Sequence, residues 1–127
     1  MNVRPRNETG FTLVEIMVVV AVIGLLAAIA IPNMTRARAT SQMNACINNL
    51  RQIDGAKQEW ALAAGIGGIT RPTDAQIQPY LGHGSNGELP SCPADSENSW
   101  TTSYNPHSLA ELPICLIVTS THVLTAQ

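Results

Sequence analysis

The residue types that bind metals, attack carbon or move protons are sparse in this chain and rarely grouped. Cys92, His107, Cys115 and His122 form a C-x14-H-x7-C-x6-H series. Its donors suit zinc, but no C-x2-C or H-x3-H pair is present to bring two ligands together locally, so no metal site is expected. Asp95-Ser96-Glu97-Asn98 gathers oxygen donors as a calcium loop does, without the glycine and spacing of an EF-hand. Ser85, Ser91 and Ser96 lie in no G-x-S-x-G, and neither a phosphate-binding loop nor a dinucleotide fingerprint is found. His83, in Gly82-His83-Gly84-Ser85, reads as a loop histidine rather than a general base. Neither catalysis nor a cofactor is expected.

Glu15 carries chemistry of another kind. From Phe11 to Ile31, 18 of 21 residues are apolar, interrupted only by Thr12, Glu15 and Gly24. As a helix, 21 residues span about 31 Å, close to the hydrocarbon thickness of a bilayer. A helix apolar on all sides needs apolar surroundings on all sides, and the rest of the chain, 39 apolar residues in 106, is too polar to provide them. A membrane-embedded helix is therefore expected over 11–31. A secretory signal peptide fits less well: the run is too long, a carboxylate sits inside its start, and Pro32 follows at once without a small-residue cleavage site. Arg4 and Arg6 place the N-terminus in the cytoplasm, although Arg36 and Arg38 on the far side count the other way. An ionised carboxylate in hydrocarbon costs about 2.5–3.5 kcal/mol, so Glu15 needs a partner. The one cation within helical reach would be an amine at Phe11, four residues earlier, if the chain were cut there. The bland alternative is that Glu15 snorkels to the headgroups.

Gly10-Phe11-Thr12-Leu13-Val14-Glu15, a short polar leader before it and an apolar run after it resemble the processing site of type IV pilins and type II secretion pseudopilins. The resemblance covers about 25 residues. It implies that a prepilin peptidase cuts between Gly10 and Phe11 and methylates the new Phe11 amine. It further implies that Phe11 and Glu15 act in filament assembly, with Glu15 pairing to the Phe11 ammonium of a neighbouring subunit and setting axial register. Gly24 and Pro32 stand where the family commonly carries a glycine and a proline, between which the helix is often partly unwound in filaments. The implied partners are further copies of the chain in a helical filament, the prepilin peptidase, the pilus or secretion assembly machinery, and membrane lipid before assembly. The implied location is the inner membrane as a single pass, N-terminus cytoplasmic, with the head periplasmic or extracellular.

Beyond Pro32, which should kink rather than end the helix, a second pattern appears. Met43, Cys46, Ile47, Leu50, Ile53, Trp60, Ala61 and Ala64 recur at three- and four-residue steps with Lys57 as the only gap, and Gly65 with Gly67-Gly68 ends the run. A helix from Phe11 to Ala64 would measure about 80 Å, too long for a small globule, so its first half is expected to project as a stalk. Thr73 or Asp74 should cap a short turn reaching Leu81, with strands at Ser99–Tyr104, Ile114–Val118 and His122–Thr125 forming a small antiparallel sheet on the helix stripe. The expected fold is α+β and pilin-like: a leader over 1–10, an apolar assembly helix over 11–31, an amphipathic continuation over 32–64, and a loop-rich head over 65–127.

Cys92 and Cys115 are a candidate disulfide, in keeping with the C-terminal disulfides frequent in pilin heads, and would close a loop worth about 3 kcal/mol. Cys46 then reads as a buried small hydrophobe, with a bridge from it to either other cysteine left open. The net charge of -2, which becomes -3 once Arg4, Arg6 and Glu8 leave with the leader, argues against a nucleic-acid surface. Beyond Arg71 there are five acids and no Lys or Arg. The alternatives to a bulk filament subunit are a minor or initiating pseudopilin, an adhesive or DNA-uptake pilin, and a single-pass membrane protein that binds a partner without polymerising. The acidic, aromatic-rich calcium motif of some major pseudopilins is not found.

Overall fold

The computed structural model describes residues 10–82 and 88–125, so the leader residues Arg4, Arg6 and Glu8, and also His83 and Ser85, lie outside the described residues. The chain divides into two units, one running to Ala37 and the other from Arg38. One helix, α1 (Leu13–Ala64), contributes to both.

In the first unit α1 begins at Leu13 because Thr12 serves as its N-cap. The Thr12 Oγ1 accepts the Glu15 N–H at 3.3 Å, and the Thr12 carbonyl takes the Ile16 N–H. Thr12-x-x-Glu15 thus satisfies a first-turn donor and places an acid at the positive end of the helix. Pro32 lies inside the helix without ending it. It has no N–H for the Ala28 carbonyl one turn back, and the next turn is reinforced where the Thr35 hydroxyl donates to the Pro32 carbonyl at 2.9 Å.

In the second unit α1 buries Cys46, Leu50, Ile53, Ala56, Lys57, Trp60 and Ala61. The stripe is the expected one at its centre, while Met43 and Ile47 are half-buried and Ala64 is exposed. The helix stops where glycine permits it. Gly65 has φ of 64°, the Ile66 N–H returns to the Ala61 carbonyl at 3.0 Å, and the Gly65 N–H to that of Leu62 at 3.4 Å. That pair of bonds is a Schellman cap.

Short elements follow. α2 (Asp74–Ile77) starts after Thr73, whose N–H donates to the Gln76 Oε1 at 2.8 Å, and a 3-10 turn at Gln78–Tyr80 carries the chain to Leu81. The expected strand at Ser99–Tyr104 is instead a helical turn, α3 (Trp100–Ser103), that becomes β1 (Tyr104–Asn105) only at its end. Local side-chain bonds decide this: the Thr102 hydroxyl bonds back to the Ser99 carbonyl at 3.1 Å, and the Asp95 carboxylate takes the Thr102 and Ser103 hydroxyls, each at 2.7 Å. β1 pairs antiparallel with β2 (Ile114–Cys115), Tyr104 opposite Cys115 and Asn105 opposite Ile114. The Leu116 N–H adds one more bond, to the Ser103 carbonyl. His122–Thr125 forms no strand. The antiparallel sheet is therefore present but short, and the α1 stripe packs against a cluster of Ile77, Leu81, Cys92, Trp100, Tyr104 and Cys115 drawn largely from turns.

Lys57 is the correction of most structural weight. Its side chain is fully buried, and its three ammonium protons go to the carbonyls of Pro106 at 2.9 Å, Ser108 at 3.1 Å and Glu111 at 2.7 Å, with Asp54 Oδ1 at 3.4 Å. Burial pushes its pKa down, against the pull of the Asp54 carboxylate. The residue that interrupts the apolar stripe thus fastens the 106–111 loop to the helix. Lys57→Met keeps the apolar stem but leaves three carbonyls without their donor, and should cost about 3 kcal/mol, read as a lowered unfolding midpoint of the detergent-solubilised chain. Gln58→Met, one residue on and exposed, should change stability by less than about 0.5 kcal/mol in the same assay. Gly65→Ala should cost about 1 kcal/mol, because its Cβ meets no atom within 4 Å and only the left-handed backbone is strained.

Candidate functional site

Two groups of residues stand apart from ordinary packing, one in each unit. The first surrounds the start of α1. Gly10 and Phe11 precede the helix, outside regular secondary structure, and both are exposed. A Cβ on Gly10 would meet nothing within 4 Å, so the fold of this chain does not itself require glycine there. The Gly10–Phe11 peptide bond therefore lies in accessible, non-helical backbone, immediately before the Thr12 cap.

Past the cap, every residue from Leu13 to Ile31 is exposed except Ala27, which is intermediate. Phe11 has 80% of its surface open. The apolar window of α1 has a mean hydropathy of 2.9 with none of it buried, and by length and composition this helix is able to cross a membrane. Glu15 is the single ionisable side chain on that surface. Gly24 and Pro32 both lie within unbroken α-helix, and a Cβ at Gly24 would also meet nothing. Thr12 is the residue that reading the sequence for charge passed over. Its signal was the T-x-x-E spacing, which marks a helix start independently of any processing chemistry.

The second group is buried in the unit from Arg38. The sulfurs of Cys46, Cys92 and Cys115 and one ring nitrogen of His122 all lie within 4.8 Å of one another. Cys92 Sγ to Cys115 Sγ is 3.8 Å, Cys92 Sγ to His122 Nδ1 is 3.8 Å, and Cys115 Sγ to His122 Nδ1 is 3.9 Å. The expected Cys92–Cys115 disulfide is not shown: a covalent pair stands about 2.05 Å apart, and in this structure all three cysteines are free thiols. Burial pushes the Cys46 and Cys92 thiols up. The Tyr104 hydroxyl, itself raised by burial, reaches Cys46 and also accepts the Asn49 side-chain amide at 3.0 Å. On the opposite side the Cys92 N–H donates to Ser103 Oγ at 2.9 Å, and Ser103 donates in turn to Asp95. These hydroxyl bonds, Thr102 first, hold the Asp95 carboxyl below its usual range.

The sequence series thus had three of the four members. His107 is elsewhere: its Nδ1 faces Glu111 Oε2 at 3.3 Å. Cys46 takes the fourth place. Helical spacing put it on the buried face, but nothing local in the sequence links it to residues 46 to 76 positions away.

Comparison with known proteins bears on the first group. The family model for the prokaryotic N-terminal methylation motif matches residues 5–31. Over 121 residues the chain is 30% identical to the type IV major fimbrial protein FimA of Dichelobacter nodosus, covering 83% of this chain and 76% of that one. It is 48% identical over 56 residues to the type IV major pilin protein PilA of Myxococcus xanthus, covering 44% of this chain and 25% of the relative. It is 27% identical over 97 residues to the type II secretion system core protein G of Vibrio cholerae, covering 69% of this chain and 66% of the relative. The chain thus spans a quarter of the length of the PilA relative and about two thirds of protein G. No solved structure shows a significant match. The methylation motif at the head of an uncovered apolar helix, with likeness to FimA along most of the chain, makes this protein a member of the type IV pilin and pseudopilin family.

Proposed function

We infer that this chain is a structural subunit of a type IV pilus-like or pseudopilus filament, with no catalytic role. The observation that carries the inference is the Phe11–Ile31 surface: apolar on all sides, exposed among the described residues, and bearing one carboxylate four residues after Phe11. Such a helix is compatible with two surroundings, lipid and a bundle of like helices, and moving from one to the other exchanges apolar contact for apolar contact. The naming of PilA as a type IV major pilin and of FimA as a type IV major fimbrial protein supports the pilus form, and the greater coverage of FimA favours it over the secretion form.

In this reading a prepilin peptidase cuts after Gly10 on the cytoplasmic face of the inner membrane and methylates the Phe11 amine. The mature subunit waits in the bilayer with its head outside the cytoplasm, and the assembly machinery lifts it into the fibre. Glu15, costly in hydrocarbon, then finds the Phe11 ammonium of the adjacent subunit, and this lone polar pair fixes the axial register. Gly24, of low helix propensity, and Pro32, which lacks a donor, are the positions at which α1 yields when helices crowd together.

Two variants separate processing from assembly. Gly10→Val leaves the fold unaffected, because its side chain meets open space, and should abolish cleavage, read as a chain of unprocessed mass in the membrane fraction. Glu15→Leu should be cleaved normally, accumulate in the membrane and form no filaments under electron microscopy. Normal fibre yield from the processed Glu15→Leu chain would sink the register role.

A further inference from the structure

We propose that Cys46, Cys92, Cys115 and His122 form a closed tetrahedral site for a zinc ion that ties the C-terminal segment and the 92 loop to α1. The donor set is three sulfurs and one imidazole nitrogen, all from buried residues. It is the set preferred by a structural zinc site, which takes four protein ligands and leaves no position open for chemistry.

The distances agree. A tetrahedron with zinc–sulfur bonds of about 2.3 Å places its ligand atoms about 3.8 Å apart. The Cys92, Cys115 and His122 donors match this at 3.8, 3.8 and 3.9 Å, and Cys46 Sγ, within 4.8 Å of the others, reaches the fourth corner by a shift of about 1 Å. Donors from α1, the 92 loop, β2 and the chain at His122 converge in one buried cluster.

The surroundings are those of a metal site. The Tyr104 hydroxyl neighbours Cys46 and accepts the Asn49 amide, and the Tyr104 backbone is fixed opposite Cys115 in the two-strand ladder. The Cys92 backbone is held by Ser103, and Ser103 by Asp95. Hydrogen bonds of this kind orient ligands and tune affinity. His122 coordinates through Nδ1 and forms part of the wall of a cleft of about 340 Å³ that also includes Ala39, Met43, Ala94, Val118 and Thr121, a route by which the ion enters. On binding, three thiols lose their protons to solvent, three zinc–sulfur bonds and one zinc–nitrogen bond form, and no electron is transferred. The dication and three thiolates sum to a single buried negative charge. A disulfide would use two of the four groups and needs an oxidant; the metal uses all four.

The test uses the full chain purified in detergent. As isolated it should hold one zinc per chain by elemental analysis, with three thiols that react with a chromogenic disulfide reagent only after chelation. The metal-free, reduced chain should take up one equivalent of cobalt(II), with the intense visible bands of tetrahedral thiolate coordination. Cys46→Ser should lose those bands, a change that a Cys92–Cys115 disulfide would not produce. Tyr104→Phe should weaken zinc binding about tenfold or more. His107→Asn, a substitution suited to the positive φ of 56° at that position, should keep the full metal content. A chain isolated with Cys92 and Cys115 joined, or a reduced wild-type chain giving only the weak spectrum of octahedral cobalt, would overturn the proposal. The wild-type cobalt spectrum decides the matter even if a cysteine variant fails to fold.

Discussion

An apolar helix surface exposed among the described residues is the constraint on which the rest of this protein depends. Water excludes it, and fully burying one Val, Leu or Ile side chain is worth about 1.5–3 kcal/mol. Of the nineteen residues from Leu13 to Ile31 twelve are Val, Leu or Ile and only Glu15 and Gly24 are not apolar, which makes solvent an untenable environment for the first unit. The helix must meet lipid or other helices. Everything polar near it gains meaning from that setting: the threonine cap that satisfies backbone donors, the carboxylate seated at the positive helix end, and the accessible peptide bond just before both.

The second unit solves a different problem. Two strands of two residues each provide little backbone hydrogen bonding, so the loops must be secured by side chains. The amphipathic half of α1 is the post to which they are tied. Lys57 holds the 106–111 loop through three carbonyls, Asn49 binds the Ser91 carbonyl at 3.1 Å, and Gln42 binds that of Pro93 at 2.9 Å. Trp100 and Tyr104 stack at a tilt with ring centres 5.8 Å apart, closing the apolar cluster beside the cysteines. A small core is made sufficient by specific polar ties from one helix, and the four-residue thiol and imidazole group lies on the same face.

Much of this was legible from local pattern. The 21-residue apolar run, the glycine stop after Ala64, the 74–81 turn and the antiparallel pairing of segments near 104 and 114 follow from periodicity, capping and turn chemistry, which act over a few residues. What misled was equally local. The β-branched and aromatic content of Ser99–Tyr104 reads as a strand, yet hydroxyl bonds to Ser99 and Asp95 bend it into a helical turn. Lys57 reads as a flaw in an apolar stripe, because a sequence does not show the three carbonyls that surround its ammonium group.

By itself, then, the sequence determined the long helix, its division into an oily half and an amphipathic half, and the processing motif, because each is a relation between residues close together along the chain. Only the tertiary structure decided that Cys46 joins Cys92, Cys115 and His122, that His107 turns away to Glu111, and that the Cys92 and Cys115 sulfurs stand 3.8 Å apart. Those are distances between residues tens of positions apart. They are set by how the 92 loop, β2 and the chain at His122 close over one face of α1, and no spacing in the primary structure encodes them.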